Sequence, residues 1–333
     1  MMTEQENRRR RRIAPSLGLM VLLASGPAHL SASADDEGQA RNRSSGDTCQ
    51  KVAQDVRKSC ENGARDEYWL AKARCKNTAP DGGAASKNPC GAAASDELAA
   101  QRSECRDQFV ARKDICSQLG GGPYAPNIDP GNFVAVIDNP YLPLVPGTTF
   151  RYESVTAQGQ KTGETGVVEV TGETRSILGV PCVVVRDTAT VDGQVVEDTI
   201  DWYAQDKAGN VWYFGEESKQ YANGFLVAID GSWRAGVDGA LPGIVMEAVP
   251  AVGDVYRQEF AVGEAEDVAK VLALGQAVSV PFGGYTNALQ TGDFSAFEPD
   301  LIEQKFYVPG VGFVLAIDPE TGGREELVGV MAK

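Results

Sequence analysis

The sequence predicts an α+β protein: a disulfide-laced antiparallel α-hairpin, followed by a mainly antiparallel β-domain that forms a curved sheet, half-barrel or barrel. Two observations lead to this prediction. Six of the seven cysteines lie within residues 48–119, in a stretch with few helix breakers. From Phe133 onward, segments rich in Val, Thr and aromatic residues alternate with turn residues at intervals of roughly ten residues, which is typical of all-β domains.

Residues 1–34 are predicted to be a secretory signal peptide. Arg8–Arg12 form a basic segment, Ile13–Leu30 is a short apolar run interrupted by proline and glycine, and Ala32-Ser33-Ala34 is a cleavage motif. The polar stretch 35–47 is expected to be a disordered tether. Since no other run approaches the length of a membrane-spanning helix, we expect no integral membrane span and an exported protein, periplasmic or extracellular after cleavage near Ala34.

The residue inventory excludes several classes of site. The one histidine, His29, lies in the predicted signal, so a Ser-His-Asp triad, a Cys-His pair and a histidine-based zinc site are excluded from the mature chain. The formal charge of the whole chain is −15, and removing residues 1–34 takes away five Arg and two Glu, which leaves −18. Such a charge disfavours nucleic acid as a partner and attracts cations.

The cysteine spacings predict how the hairpin is linked. Successive cysteines are 11, 15, 15, 15 and 11 residues apart, which is a palindrome centred on the breaker-rich segment Thr78–Pro89. On a helix, steps of 11 and 15 residues advance by only about 20° and 60°, so each half places its cysteines along one face. Antiparallel helices bring together residues whose numbers have a constant sum, which selects the pairs Cys49–Cys116, Cys60–Cys105 and Cys75–Cys90. The hairpin is expected to be a stapled spacer or cap, or else a partner-binding module.

The Gly/Pro stretch 120–130 is predicted to be a linker, and residues 131–333 the β-domain. Its centre reads as a meander: Cys182–Thr190, an Asp192-Gly193 hairpin turn, Val195–Ala204, a turn at Asp206–Asn210, and Val211–Gly215. In all, about a dozen strands are expected from this turn spacing. A glycine-rich turn is predicted at Gly163–Gly166 and a short helix near Tyr285–Gln290, while Leu241–Val249 fits no pattern.

Two short patches carry a resemblance to a known class of proteins. Lys305–Leu315 (KFYVPGVGFVL) with the later Glu326-Leu327, and the opening Asn139–Thr148, resemble the C-terminal hairpin and the first strand of exported bacterial TapB-type and LolA-like β-domains. The resemblance implies a strongly curved sheet, a half-barrel with a helix in its hollow, that holds lipid or another apolar ligand. It supplies no catalytic residues.

The β-domain is acidic, with 12 Lys/Arg and 30 Asp/Glu in residues 120–333. In the strand Val195–Ala204, alternation places Asp198 on the apolar face with Val196, Ile200 and Trp202, and places Asp201 on the other face. A carboxylate among core residues must be paired, coordinated or protonated. Three hypotheses follow.

In the first hypothesis, Asp198 forms a structural ion pair with Arg257 or Lys305. In the second, four carboxylates bind Ca²⁺, which takes six to eight oxygen ligands: Asp198, Asp201, Glu266 and Asp267. In the third, a carboxylate pair acts as acid and base with a tyrosine, for which Glu303 with Tyr307 or Tyr203 are candidates. A ligand-binding set is also proposed from the sequence: Asp198, Trp202, Arg257, Glu259 and Lys305.

The leading functional prediction is ligand binding or a structural role in the cell envelope, with a small apolar ligand, a divalent cation or an envelope protein as the partner. The alternative is a secreted hydrolase or lyase that uses a carboxylate pair with a tyrosine. No cofactor other than Ca²⁺ is expected. Cys182, the odd cysteine, lies in an apolar strand and is predicted to be a buried free thiol.

Overall fold

The computed structural model describes residues 47–78, 89–299 and 301–332. They divide into two compact units, one built from Ala125–Ser295 and Asp300–Lys333, the other from the helical region up to Tyr124 with Ala296–Pro299. The predicted signal peptide, its cleavage site, nearly all of the tether and the centre of the cysteine palindrome lie outside the described residues.

The helical unit is an antiparallel hairpin of α1 (Thr48–Thr78) and α2 (Pro89–Gln118). Asp47, just before the first residue of α1, caps the helix. Its Oδ1 accepts a hydrogen bond from the backbone N–H of Gln50 at 3.1 Å, which satisfies one of the unpaired donors of the first turn. All three predicted disulfides are confirmed, and they link Cys49 to Cys116, Cys60 to Cys105 and Cys75 to Cys90 with Cα–Cα distances of 5.7, 5.8 and 5.7 Å.

The buried side chains of the hairpin are mostly small. Ala53, Ala64 and Ala94 are buried with Cys75, Cys105 and Cys116, and Ile115 is the one large aliphatic residue among the buried hydrophobic side chains of the described hairpin. Alanines let the two helices approach closely but bury little apolar surface. The cross-links therefore contribute much of the hairpin's stability, each by an amount on the order of 2–4 kcal/mol.

The β-unit contains sixteen strands in the described residues, which exceeds the dozen that turn spacing predicts. A 3₁₀ turn (Pro130–Asn132) precedes them. The strands are β1 (Phe133–Val134), β2 (Thr149–Val155), β3 (Lys161–Ile177), β4 (Val180–Val191), β5 (Gln194–Asp206), β6 (Val211–Ala222), β7 (Phe225–Ala228), β8 (Trp233–Arg234), β9 (Leu241–Met246), β10 (Val255–Arg257), β11 (Glu259–Phe260), β12 (Asp267–Val280), β13 (Gly283–Ser295), β14 (Ile302–Val308), β15 (Gly312–Ile317) and β16 (Arg324–Met331).

The strands form one antiparallel sheet that closes almost completely into a barrel. Neighbours along the sheet run β10-β12-β13-β14-β15-β16-β2-β3-β4-β5-β6-β9-β11, and β1, β7 and β8 attach to β5 and β6. The two ends of this order, β10 and β11, are consecutive in the chain and are separated only by Gln258. The segment 255–260 therefore pairs with β12 on one side and with β9 on the other, and it joins the two edges of the sheet.

Local turn chemistry explains the confirmed part of the meander. Asp192 and Gly193 connect β4 to β5 with φ of 51° and 77°, the left-handed pair that a tight two-residue hairpin requires. The turn between β5 and β6 is fixed by Asp206, whose carboxylate accepts hydrogen bonds from the Asn210 backbone, the Asn210 side chain and Trp212 Nε1, each at 2.9 Å.

Three local expectations need correction or completion. The glycines at Gly163–Gly166 do not form a turn but lie inside β3, because β2 and β4 pair with this segment on both sides. Tyr285–Gln290 is not helical; it belongs to β13, where pairing with β12 overrides local propensity. The unassigned stretch Leu241–Val249 contains β9, a short strand at the closing edge.

The apolar core is continuous through the β-unit. Tyr203 and Tyr213 stack with their ring centroids 4.8 Å apart, and Phe133 of β1 packs edge-on against Phe214 at 5.5 Å. Cys182 is buried and free, as predicted, and burial raises the pKa of its thiol to about 12, so it is not a reactive thiolate. Within the described residues, neither helix has a stretch apolar and long enough for a membrane span.

Closure of the barrel depends on a glycine. A side chain at Gly243 would place its Cβ 2.4 Å from the Gln258 carbonyl and 2.6 Å from Arg257 O, both backbone atoms that cannot move aside. We expect Gly243→Ala to lower the free energy of unfolding of the β-unit by about 1–3 kcal/mol, the usual effect of overpacking. Urea denaturation followed by tryptophan fluorescence measures the change.

The matched control is Gly172→Ala, also in a strand, where nothing lies within 4 Å of the added methyl group. That variant is expected to stay within about 0.5 kcal/mol of the wild type. Equal stability of the two variants would show that the close approach at Gly243 does not constrain the fold.

Candidate functional site

The strand β5 shows which face of the sheet is turned inward. Glu197, Thr199, Asp201 and Tyr203 are all buried, whereas Asp198 lies on the opposite face. The expectation that Asp198 is the carboxylate on the core face is therefore wrong. Sequence alternation identifies the two faces correctly, but the more polar face is the inner one.

Asp198 pairs with a different base from those expected. Its carboxylate accepts hydrogen bonds from Arg186 Nε at 2.7 Å and Nη2 at 3.0 Å, on the outer face where half of the Arg186 side chain is exposed. Trp202 lies on the same face as Asp198 and is covered by the Arg175 guanidinium, 4.3 Å from the ring centroid. These contacts replace the predicted pairing of Asp198 with Arg257 or Lys305.

The inner face carries a group of carboxyl residues that we call the acidic interior. Strand register places its members on the same side of the sheet from β3 around to β16, and Glu259 reaches them from β11. Eight of them are buried: Glu164, Asp187, Glu197, Asp201, Glu216, Glu259, Asp293 and Glu325. Asp267 and Glu303, which are partly buried, complete the set.

A β-bulge brings Glu216 onto this face. Tyr213 is opposite Tyr203, and strict alternation would then turn Glu217 inward. The register shifts between Tyr203 and Asp201, so that Asp201 is opposite Glu216. The bulge contains Gly215, whose φ of 132° few other residues adopt and whose added Cβ would be 2.4 Å from Trp233 O.

Asp201 and Glu216 must hold at least one carboxyl proton between them, in addition to the phenol proton of Tyr213. The Tyr213 hydroxyl lies 2.6 Å from Asp201 Oδ1 and 2.8 Å from Glu216 Oε2. A phenol has one proton to donate, so it can satisfy one carboxylate only. The second contact is a hydrogen bond if the other carboxyl is protonated and donates to the phenol oxygen. Burial raises the pKa of both carboxyl groups. Repulsion from Asp201 raises that of Glu216 further, and repulsion from Asp187 and Glu197 raises that of Asp201.

Glu259 extends this arrangement. Its Oε2 accepts a hydrogen bond from Trp233 Nε1 at 2.8 Å, and the Trp233 ring packs edge-on against Tyr213 at 5.5 Å. Burial raises the pKa of Glu259, and the nearby Asp267 and Asp201 raise it further. We call Asp201, Tyr213, Glu216 and Glu259 the proton cluster.

Several oxygens of these side chains have no hydrogen-bond partner among the described residues, although the side chains are at most 2% exposed. They are Asp201 Oδ2, Glu216 Oε1, Glu259 Oε1 and the neighbouring Tyr203 hydroxyl. Unpaired buried oxygens cost about 1–3 kcal/mol each, more if they carry charge. Protonation of the cluster removes much of that cost.

A second group on the inner face contains the buried lysine. Lys305 Nζ contacts Asp293 Oδ2 at 3.1 Å and Glu303 Oε2 at 3.2 Å, and Asp293 also accepts hydrogen bonds from Thr291 and Gln258. Glu303, Lys305 and Tyr307 alternate along β14 and lie on one face. Burial raises the pKa of Tyr307, so it remains a neutral phenol. Of the sequence candidates for ligand binding, Lys305 and Glu259 face the interior.

The four carboxylates predicted to bind Ca²⁺ are not brought together. Asp198 and Asp201 lie on opposite faces, and Glu266 accepts a hydrogen bond from the Gly263 backbone at 2.9 Å. Asp267 is the one that joins Asp201 on the inner face. Arg257, another ligand candidate, is buried with its guanidinium 4.4 Å from the Phe260 ring centroid. Within residues 47–78, 89–299 and 301–332, no group of three or more His, Cys, Asp or Glu is arranged to hold a metal ion.

Comparison with known proteins leaves the family open. No family model matches this chain, and no curated protein matches it. A solved structure from Bacteroides fragilis, described as "a putative exported protein with YmcC-like fold", is similar over 57% of this chain and 98% of its own, with 14% sequence identity and a TM-score of 0.34. Similarity at this level identifies neither fold nor function. The TapB-type and LolA-like resemblance stays a prediction.

The acidic interior predicts an unusual dependence of stability on pH. Burial raises the pKa of Asp187 to about 7 and that of Glu197 to about 8. The native state therefore holds more protons than the unfolded state between about pH 4 and pH 8, and stability is greatest at the acidic end and falls as pH rises. Asp187 alone accounts for a change on the order of 4 kcal/mol over this range. Urea denaturation at half-unit pH steps measures it.

Asp187→Asn should flatten this dependence, because the amide has no proton to lose. Asp198→Asn, on the outer face, removes only the weak repulsion that Asp198 exerts on Asp187 and should keep most of the wild-type slope. A β-unit that is more stable at pH 8 than at pH 5 would contradict protonation of the interior.

Proposed function

We propose that this chain is an exported binding protein whose β-unit takes a small cation into its acidic interior. The observation that carries the proposal is the set of unpaired, buried oxygens in and beside the proton cluster. Protons compensate these oxygens when no cation is bound. A cation supplies the same compensation, because it neutralises the carboxylates and accepts coordination or donates hydrogen bonds to their free oxygens.

The balance of charge favours a cation over the apolar ligand expected from the family resemblance. Eight buried carboxyl residues face the interior, while the buried bases of the described β-unit are Arg257 and Lys305. Lys305 is already paired with Asp293 and Glu303. The tyrosine and tryptophan rings beside the cluster suit an organic ammonium ion, which interacts with aromatic rings as well as with carboxylates.

Export is supported by the three disulfides, since such bonds persist in oxidising compartments, and by the predicted signal peptide. A role for the helical hairpin as a spacer, a cap or a docking module for an envelope protein remains a proposal.

One observation favours a second candidate function. Tyr213 lies between two carboxyl groups of which one is protonated, and such a pair can serve as acid and base in hydrolysis or elimination. This is the carboxylate-pair hydrolase or lyase of the sequence analysis, with Asp201 and Glu216 in place of Glu303.

Thermal denaturation with three chloride salts at matched ionic strength tests cation binding: calcium, butylammonium and sodium. We expect butylammonium to raise the melting temperature of the β-unit at pH 8, by an amount that grows with RT ln(1 + [L]/Kd), on the order of 2.7 kcal/mol at a hundredfold excess over Kd. Calcium, for which the described residues offer no arranged set of ligands, should act as sodium does. The butylammonium shift should shrink at pH 5, where protons compete. Native mass spectrometry counts the bound ions.

Asp201→Asn should remove this shift and Asp198→Asn should retain it, since the two residues lie on one strand but on opposite faces. Equal shifts with all three salts would mean screening alone and would refute the proposal. Turnover of a polysaccharide or ester, lost in Glu216→Gln and without any cation-specific shift, would favour the hydrolase.

A further inference from the structure

The barrel is closed by a very short pairing, which we call the seam: β9 with β11. It contains two residue pairs, Glu259 with Pro242 and Phe260 with Leu241. Pro242 has no N–H, so it cannot donate a ladder hydrogen bond. On the other side, β10 is joined to β12 by three residue pairs. By contrast, β3 and β4 are paired over nearly their whole length.

The proton cluster lies directly at this seam. Glu259 is a seam residue, and Asp201 and Glu216 belong to β5 and β6, the second of which pairs with β9. The backbone N–H of Gln258 donates to the Asp267 carbonyl at 2.9 Å, so Asp267 is held at the other side of the same junction. Loss of protons here places negative charges on both sides of the weakest pairing that closes the sheet.

The other side chains around the proton cluster are carboxyl groups, which repel it when ionised, or neutral groups. Those that interact with it electrostatically or through hydrogen bonds are Asp187 from β4, Glu197 and Tyr203 from β5, Trp233 from β8 and Asp267 from β12. Lys305 lowers the pKa of Asp267, whereas Asp293 and Glu303 raise it. It is already bound to those two carboxylates.

We propose that the seam is a proton-operated opening: it is closed while the cluster holds its shared proton, and β9 separates from β11 when that proton is lost. Opening relieves the repulsion between Glu259 and the Asp201–Glu216 pair and lets water reach the unpaired oxygens. If the interior binds a cation as proposed above, the seam is its route inward. The opening itself requires no ligand.

Hydrogen–deuterium exchange of the whole protein tests this inference. For each proton released on opening, the opening constant rises tenfold per pH unit once the intrinsic exchange rate has been divided out. The geometry of Tyr213 requires at least one such proton. We therefore expect peptides covering 241–246 and 255–260 to show an opening constant that rises at least tenfold per pH unit across the cluster's titration. Peptides within β3 and β4, which exchange only when the whole β-unit unfolds, should keep a smaller opening constant at every pH.

Two variants separate this mechanism from general loosening. Glu259→Gln keeps the shape of the side chain but cannot ionise, so it should reduce the slope of the seam peptides, whereas Asp198→Asn should leave it unchanged. A disulfide between cysteines introduced by Leu241→Cys and Phe260→Cys, a directly paired position, should abolish seam opening when oxidised and restore it when reduced.

A seam opening constant independent of pH, or an unchanged slope in Glu259→Gln, would overturn the inference. These outcomes are distinct from failure of the proposed function. A seam that opens with pH in a protein that binds neither calcium nor butylammonium would leave the opening intact and refute cation binding. Binding with a pH-independent seam would do the reverse.

Discussion

Protonation of buried carboxyl groups is the condition on which the β-unit depends. Closing the sheet turns one face of every strand inward, and in β3 to β6, β13, β14 and β16 that face carries Asp or Glu. Several ionised carboxylates in a low-dielectric interior would cost far more than the net stability of a domain. The protein satisfies this condition with protons. The contacts of Tyr213 require one on Asp201 or Glu216, and burial raises the pKa of Asp187 to about 7 and that of Glu197 to about 8, so these two groups hold protons near neutrality.

The geometry that gathers these groups comes from two glycines rather than from the acidic residues themselves. Gly215 forms the bulge that turns Glu216 toward Asp201, and without it the ordinary alternation of β6 would place Glu217 there. Gly243 lets the backbone at Gln258 approach β9 closely enough to close the barrel and bring Glu259 to the same place. Both are positions where any side chain would collide with backbone, so backbone sterics determine where the carboxyl groups of the proton cluster lie.

How much of this can be predicted from the sequence varies with the range of the interaction. The disulfide pairs follow from cysteine spacing alone, because antiparallel helices fix which residues meet. The tight turn at Asp192-Gly193 likewise follows from local chemistry. The inward face of β5 does not, because its outer face is also covered: Trp202 lies under Arg175, and β1 packs Phe133 against Trp212 and Phe214. Because the outer face is covered as well, apolar side chains collect there, and the hydrophobic contrast between the two faces no longer identifies the inner one. Glycine within the strand at Gly215 is the signal of a bulge, and it would have indicated Glu216.

The two units of the chain are stabilised by unrelated chemistry. The helical hairpin has a small alanine-rich core and three covalent links, which do not respond to pH in the range where carboxyl groups titrate. The β-unit has a large core but a free energy that depends on how many protons its interior holds. A change in pH therefore acts on the β-unit, and a change in redox potential acts on the hairpin, since the one free thiol of the β-unit, Cys182, is buried and protonated. In an oxidising compartment whose acidity varies, the disulfides stay formed while the protonation of the β-unit changes. The β-unit is also where the unpaired oxygens and the thin seam are found.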